Sequence, residues 1–434
     1  MNIQQLMRNK ELNIAVIGIG YVGLPLALSF AEHFHVVGFD IDAKKIEKYR
    51  SAYRDRERRG SGGLSFTDDP DDIGDAHVYI VTVPTPVDAQ LRPDLSHLID
   101  ASRLIGRKLA PGNLVIYEST VYPGVTEEVC IPVLEAESGL RSGADFQVGY
   151  SPERMNPGDV HHRLDNTKKI VSALSEEALD TVAELYAHIV EAGVYRVSSI
   201  RLAEAAKVTE NAQRDMSIAF MNELSMMFHH MGIDTKEVID ACSTKWNFQR
   251  VTPGLVGGHC IGVDTYYLIY KSEQLGYTPT FLHAGRTVNE SMGRYIANQT
   301  IKRLARLQRY HEFKRWTIAV LGVTYKENTD DIRNSKVKDL IGELREFGVK
   351  LLVADPLADE SRAAGELGVQ LCDWRSIRDA DAVIVAVPHD EFRAIPMDRL
   401  LDMYDRSSVR LLVDIRGAFD RDAAERHQIR YWRL

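Results

Sequence analysis

The sequence is poor in cysteine, in long apolar runs and in excess positive charge, and each shortage excludes a class of protein. Its 434 residues hold four cysteines, Cys130, Cys242, Cys260 and Cys372, far apart and with no CxxC pair. Neither a disulfide framework nor the usual zinc spacing is present, so the expectation is a reducing cytoplasm and no bound metal. No uninterrupted apolar stretch approaches the roughly 18 residues that span a bilayer. The opening residues, MNIQQLMRNKEL, lack the apolar core of a signal peptide. A formal net charge of −9 argues against nucleic acid or an anionic membrane as the main partner. A small anionic ligand stays open, because local glycines and basic side chains bind one whatever the global charge. With 44% hydrophobic and 26% charged residues, the chain is globular and too long for one core, so two or three domains are expected.

What is present begins with glycine. Asn13 to Ile17 is an apolar strand running into Gly18-x-Gly20-x-x-Gly23, with Tyr21 and Val22 inside the turn and a helical stretch from Leu24 to Phe30. Such glycines permit a tight turn, close approach of a pyrophosphate and close helix–strand packing, with the helix N-terminus facing the phosphates. A second strand, His35 to Phe39, ends in Asp40, 17 residues after Gly23. An acid there binds the ribose hydroxyls of NAD and repels the extra phosphate of NADP. Two further strands end in loops carrying Thr82, Pro84 and Thr85, and Ser119 and Thr120. Ligands of an open parallel sheet gather at such strand ends, although a Pro-Thr-Pro loop is also simply a stiff turn.

The last third repeats the plan. Thr317 to Gly322, Val349 to Asp355, Ala382 to Pro388 and Arg410 to Asp414 mirror the four N-terminal strands. The first turn of this repeat has no GxGxxG, however; from Val323 to Arg333 it is polar and basic, which points to a different nucleotide or diphosphate ligand. Between the repeats, Ile200 to Met231 is rich in helix formers, free of proline, and closes at Gly232. A helix of that length is on the order of 45 Å long, suited to span domains and supply a dimer interface. Lys207, Asn211 and Asp215 share one of its faces by spacing, as a working set or as a solvated face. Met216, Met221, Met226, Met227 and Phe228 read as helix packing. The fold class is therefore α/β: two Rossmann-like doubly wound parallel-sheet domains joined by a central helical domain with a long spanning helix, divided as 1–198, 199–312 and 313–434. The basic run from Arg54 to Arg59 is a solvated loop or a lid.

One segment stands apart. Gly254, Gly257, Gly258 and Gly262 frame Cys260, with Asp264 four residues on. Glycine adds no side chain and tolerates positive φ, so such a backbone can press against a ligand and leave the thiol reachable; the alternative is a buried, inert cysteine beside a glycine-rich turn. His259 is adjacent, but neighbours on an extended segment point opposite ways, so a structural or nucleotide-contacting role fits it better than that of a base.

Three features together resemble one family, the UDP-glucose/GDP-mannose dehydrogenases: Gly18-x-Gly20-Tyr21-Val22-Gly23-Leu24-Pro25-Leu26-Ala27, a central helix with Lys207 and Asn211, and Gly257-Gly258-His259-Cys260-x-Gly262-Val263-Asp264. The resemblance runs from Asn13 nearly to the C-terminus in the same domain order. It is strongest to UDP-N-acetylhexosamine 6-dehydrogenases of the Vi-antigen and O-antigen type, through Tyr117 to Gly124, Tyr150 to Arg154, Lys245 to Phe248 and Pro253 to Asp264. It implies an NAD-dependent four-electron oxidation of a sugar C6 alcohol to the acid, supplying surface polysaccharide synthesis, by a homodimer formed through the central helix. The same reaction on UDP-glucose or GDP-mannose is the alternative. The absence of a second nucleotide fold and of a nucleophilic cysteine in two-electron hydroxyacid dehydrogenases sets them apart, and the intact Cys260 set disfavours a non-catalytic sensor. On chemical grounds a thiolate can add to the intermediate aldehyde and carry it to a thioester, a role for Cys260, with Lys207 and Asn211 steadying the oxyanion. The resemblance assigns proton transfer and water activation to Asp264 and Glu153, with Thr120 holding a water. It places Glu153, Arg154, Lys207, Asn211, Gly254, Gly257, Gly258, Lys326 and Arg416 at the nucleotide sugar, and Arg333 with the N-terminal glycines at NAD. Thr265 departs from the proline usual after the aspartate and alters the stiffness of the chain beside the thiol.

Overall fold

Short runs of Val, Ile, Leu and Ala build every strand of the central sheets, because a strand covered on both faces must be apolar throughout. The structure is a computed structural model that describes residues 2–54, 62–155, 163–307, 315–405 and 409–434. The chain forms two compact units, Met1–Glu210 with Tyr266–Tyr277, and Asn211–Thr265 with Thr278–Leu434. Most of the basic run after Arg54 lies outside the described residues, as does the expected boundary at 312–313.

The first unit holds β1 (Asn13–Ile17), β2 (His35–Phe39), β3 (Gly63–Thr67), β4 (Val78–Val81), β5 (Leu114–Tyr117), β6 (Gln147–Tyr150), β7 (Lys169–Ala173) and β8 (Val194–Arg196). They form one sheet in the order β3-β2-β1-β4-β5-β6-β7-β8. All neighbours are parallel except β6 and β7, which run antiparallel. The order reverses between β1 and β4, and a crevice opens at the carboxyl ends of that pair. Ile14, Val16, Val36, Ile80 and Ile116 bury one face against Leu26, Ala27 and Phe30 of the helix Gly23–Phe30.

The second unit holds β9 (Thr317–Leu321), β10 (Lys350–Ala354), β11 (Ala382–Val385), β12 (Leu411–Asp414) and β13 (Arg430–Trp432), all parallel, in the order β10-β9-β11-β12-β13. Side chains alternate across a strand, and two cores result. Ile318, Val320, Ile384 and Val413 enter one; Ala319, Leu321, Val383, Val385 and Leu412 enter the other. The reversal here falls between β9 and β11.

The helix Ile200–Met231 runs for 32 residues and stops where Gly232 takes a φ of +71°, the left-handed exit that glycine makes cheaply. The division between the units falls inside it, after Glu210. The methionine stripe is not uniformly packing. Met216 and Met221 are buried and Met226 packs on the second-sheet core, but Met227 is 45% exposed. Among the described residues no helix is long and apolar enough to cross a membrane.

Candidate active site

The turn after β1 is shaped by three glycines with three different reasons to be there. Gly18 has φ +94°, and a Cβ on Gly23 would lie 2.1 Å from the Gly18 carbonyl oxygen and 2.6 Å from Thr82 Oγ1. A Cβ on Gly20 would meet nothing within 4 Å, so that face of the turn is open space. Thr82 Oγ1 donates to the Gly18 carbonyl at 2.7 Å and fixes the turn against β4. Tyr21 is exposed, and Val22, at the N-cap, offers no side-chain acceptor to the helix that follows. Within the turn the Leu24 amide donates to the Gly20 carbonyl at 3.1 Å, and Pro25 carries no N–H, so the turn offers a ligand its open face and not a row of amides. Asp40 is buried at the end of β2, accepting from the Ile19 and Asp42 amides at 3.0 Å each and from Lys45 at 2.6 Å. These residues fit a dinucleotide: an open cradle for pyrophosphate, with an acid at ribose position. The two expected loops are tied together beside it. Thr85 Oγ1 donates to the Thr120 carbonyl at 2.7 Å, Ser119 Oγ to the Val83 carbonyl at 2.7 Å, and the Tyr267 hydroxyl to the Thr85 carbonyl. Pro84, between them, is exposed.

Deeper in the same unit lies a buried charge cluster. Lys169 Nζ donates to Glu118 at 2.8 Å, to the Pro152 carbonyl at 3.2 Å and to Glu153 at 3.3 Å. The Tyr186 hydroxyl donates to the other Glu118 oxygen. Glu153 also accepts from the Arg154 and Met155 amides at 2.7 and 2.6 Å. Burial alone would raise its carboxyl value, but the Lys169 ammonium, those two amides and the Lys207 ammonium hold it below the usual range. Glu118, by contrast, is pushed up by burial despite Lys169. Glu153 is thus a carboxylate kept ionised in a dry place, the state needed by a base toward water. Lys207 is itself buried on the long helix. Arg154 is committed to protein, with Glu210 at 2.6 and 3.1 Å and the Lys168 carbonyl at 2.7 Å. Sequence reasoning missed Lys169; its one signal is a lysine at the start of the apolar strand Ile170-Val171-Ser172.

In the second unit, Cys260 is exposed at the end of a turn that runs into the helix Ile261–Gln274. The segment is therefore a turn, not the extended loop expected, because the Asp264 amide donates to the Cys260 carbonyl at 2.8 Å and starts the helix. Asp264 is buried one turn on, and Asn211 Nδ2 donates to it at 2.5 Å. His259 faces Asp331, with Nε2 at 2.9 Å from its carboxylate. Asp331 also accepts from the exposed Arg333 guanidinium, from Nε at 3.0 and 3.2 Å and from Nη2 at 2.7 Å. His259 is a structural partner here.

The glycines before the thiol meet protein. A Cβ on Gly254 would lie 2.8 Å from the Arg416 guanidinium, on Gly257 2.5 Å from the Asn334 carbonyl, and on Gly258 (φ +87°) 2.7 Å from the Tyr325 ring. They admit the loops that follow β9 and β12. Those loops line a small pocket at the β9/β11 crevice with Leu255, Gly257, Tyr325, Lys326, Lys336 and Arg416. Three cations at the mouth of a doubly wound sheet suit a diphosphate. Lys336 was not foreseen; it is bonded to Glu290 and to Asp339. Among the described residues no cluster of ligating side chains could hold a metal ion.

Comparison with known proteins shows the family. The NAD binding, central and UDP binding domain models of the UDP-glucose/GDP-mannose dehydrogenase family match residues 12–190, 201–291 and 319–421. The chain belongs to that family. Its cofactor is NAD. Within the family it is 45% identical to protein CapL of Staphylococcus aureus, over 97% of this chain and 99% of the relative. It is also 45% identical to a UDP-N-acetyl-D-glucosamine 6-dehydrogenase of Pseudomonas aeruginosa, over 96% and 99%. A solved UDP-D-ManNAc dehydrogenase from Pyrococcus horikoshii superposes with a TM-score of 0.84 at 31% identity, covering 94% of this chain and 96% of that one.

Proposed function

We propose that this enzyme oxidises the C6 alcohol of a UDP-N-acetylhexosamine, UDP-N-acetylglucosamine or its galactose epimer, to the uronic acid through a covalent adduct on Cys260. The observation that carries the proposal is the exposed Cys260 one helical turn ahead of a buried Asp264 held by Asn211. NAD, when bound, is the two-electron acceptor of each oxidation, so two NADH form per acid. The turn from Gly18 to Gly23 with Asp40, Thr82, Pro84, Thr85, Ser119 and Thr120 would hold it, and Arg333 would reach its pyrophosphate.

The residues then divide the work. After the first oxidation the C6 aldehyde is electrophilic, and the Cys260 thiolate adds to it, forming a C–S bond and a tetrahedral alkoxide. Lys207 and Asn211, one turn apart on the long helix, donate to that oxygen. Asp264 takes and returns the proton exchanged there. The second oxidation leaves a thioester on Cys260. Water, deprotonated by the ionised Glu153 and held by Thr120, attacks it; the C–S bond breaks and the thiolate returns with release of the acid. Lys326, Arg416 and the backbone of Gly254, Gly257 and Gly258 would hold the diphosphate of the substrate, and Arg154 steadies Glu210, three residues after Lys207.

The name of the 45% identical Pseudomonas relative supports the acetamido sugar; a supply of sugar acids for surface polysaccharide synthesis in the cytoplasm is part of the same proposal. Phe220, Met227 and Met231, exposed along the long helix, support a homodimer through it. The test is NADH release at 340 nm with UDP-N-acetylglucosamine, UDP-N-acetylgalactosamine, UDP-glucose and GDP-mannose in parallel. Two NADH per acid are expected with an acetamido sugar. Free acid formed at the wild-type rate by Cys260→Ser would sink the covalent route.

A further inference from the structure

We infer that Thr265 and Asp215 are positioning residues for the Cys260 turn, acting through a buried clamp that grips the thiol segment at both ends. This rests on the catalytic reading of Cys260 above. At the far end of the segment, two neighbours on the cysteine helix engage two residues one turn apart on the long helix. Asn211 Nδ2 donates to Asp264 at 2.5 Å, and Thr265 Oγ1 donates to Asp215 Oδ2 at 2.7 Å. Successive residues on a helix are offset by about 100°, so turning or sliding the cysteine helix by one residue breaks both bonds. One bond alone would leave a pivot; two fix the register.

The clamp continues to the near end. Asp215 Oδ1 accepts from Arg286 Nη1 at 2.9 Å and Asn289 Nδ2 at 2.7 Å. Asn289 Oδ1 accepts from Asn222 Nδ2 at 2.8 Å. Asn222 grips Gly254 twice, donating to its carbonyl at 3.0 Å and accepting from its amide at 2.8 Å. Asp215, Asn222, Thr265, Arg286 and Asn289 are all buried. Buried polar networks of this kind fix one arrangement, because every alternative leaves a polar group unpaired. Cys260 lies on the stretch between the two grips. The hydroxyl of Thr265 is what a proline at this place would lack, and it is the group that closes the circuit on Asp215.

The test compares Thr265→Val, which keeps the shape and loses the hydroxyl, with Thr265→Ser, which restores it. Three readouts are taken on the full-length enzyme: kcat and KM with UDP-N-acetylglucosamine and NAD, the thermal midpoint, and the rate of iodoacetamide alkylation at the Cys260 peptide by mass spectrometry. A helix N-terminus favours the thiolate, the form that alkylates, so a Cys260 turn out of register should react more slowly. Thr265→Val is expected to lower kcat at least tenfold, leave the sugar KM within twofold, and slow alkylation at pH 7 at least threefold. Thr265→Ser should return both rates to within twofold of wild type. Wild-type kcat and alkylation in Thr265→Val would overturn the inference, and so would a lowered midpoint with alkylation unchanged. If Thr265→Val does not fold, Thr265→Ala carries the same expectations. Should Cys260→Ala still form acid at the wild-type rate, the catalytic reading falls, while the alkylation comparison still judges the clamp.

Discussion

The first turns of the two sheets start alike and diverge after two residues. Gly18 and Gly322 have φ of +94° and +91°, and each sits under a valine, Val83 and Val387, that a Cβ would strike. The amides that follow, Ile19 and Val323, donate to the strand-end acids Asp40 and Asp355 at 3.0 and 2.7 Å. Then comes Gly20 in one and Thr324 in the other. The face beyond Gly20 is empty, whereas Thr324 is buried with its hydroxyl on the Lys326 carbonyl and beside His389. His389, also buried, lies 3.0 Å from Asp355 and accepts from the Asn328 amide. Among the described residues the side chain bonded to Asp40 is that of Lys45, one-third exposed. One acid borders an open turn, and its counterpart has been absorbed into the fold. With Thr324 and His389 filling this place, the basic side chains that line the second crevice are Lys326, Lys336 and Arg416.

Breaking the plug should have the largest effect. His389→Ala leaves Asp355 buried without its side-chain partner and is expected to cost about 3 kcal/mol in urea unfolding at pH 7, with NAD affinity unchanged. Burial works to raise the Asp355 carboxyl value, but His389 and the Val323 and Leu357 amides hold it below the usual range. A depressed carboxyl stabilises above its unfolded value of about 4 and loses that contribution as pH falls through the folded one. The gap between wild type and Asp355→Asn should therefore be full at pH 7 and narrow below about pH 4. Next, Gly20→Val builds into the open face, where its Cβ meets nothing within 4 Å. A loss of about 2.7 kcal/mol in NAD affinity, roughly a hundredfold, is expected by calorimetric titration with an unchanged melting midpoint. Lys326→Ala and Arg416→Ala should each weaken UDP binding by about tenfold, near 1.4 kcal/mol, and leave NAD binding as it was. Asp40→Asn is the mildest, raising the NADP-to-NAD ratio of kcat/KM by roughly fivefold, about 1 kcal/mol, with stability near wild type.

Much of this contrast can be read in the amino-acid order. The glycine turn, the acid at Asp40, the repeat from Thr317 and the limits of the long helix follow from local pattern, and local pattern is what sequence carries. The pattern does not disclose β3, β6 to β8 or β13, which interrupt short apolar runs with polar residues or, in β8 and β13, span three residues each. The role of Lys169 was hidden because a lysine belongs on the surface unless its partners are known, and Glu118 and Glu153 are 51 and 16 residues away. Thr265 looked like an irregularity for the same reason: Asp215 lies 50 residues earlier.

The glycines before the thiol have a practical consequence for exchanging parts between relatives. Gly254, Gly257 and Gly258 are cut to the contours of Arg416, Asn334 and Tyr325. A chimera that takes its C-terminal sheet from another enzyme must bring its own residues 254–258 as well, since these three glycines and the loops of the sheet are matched like a key and its lock.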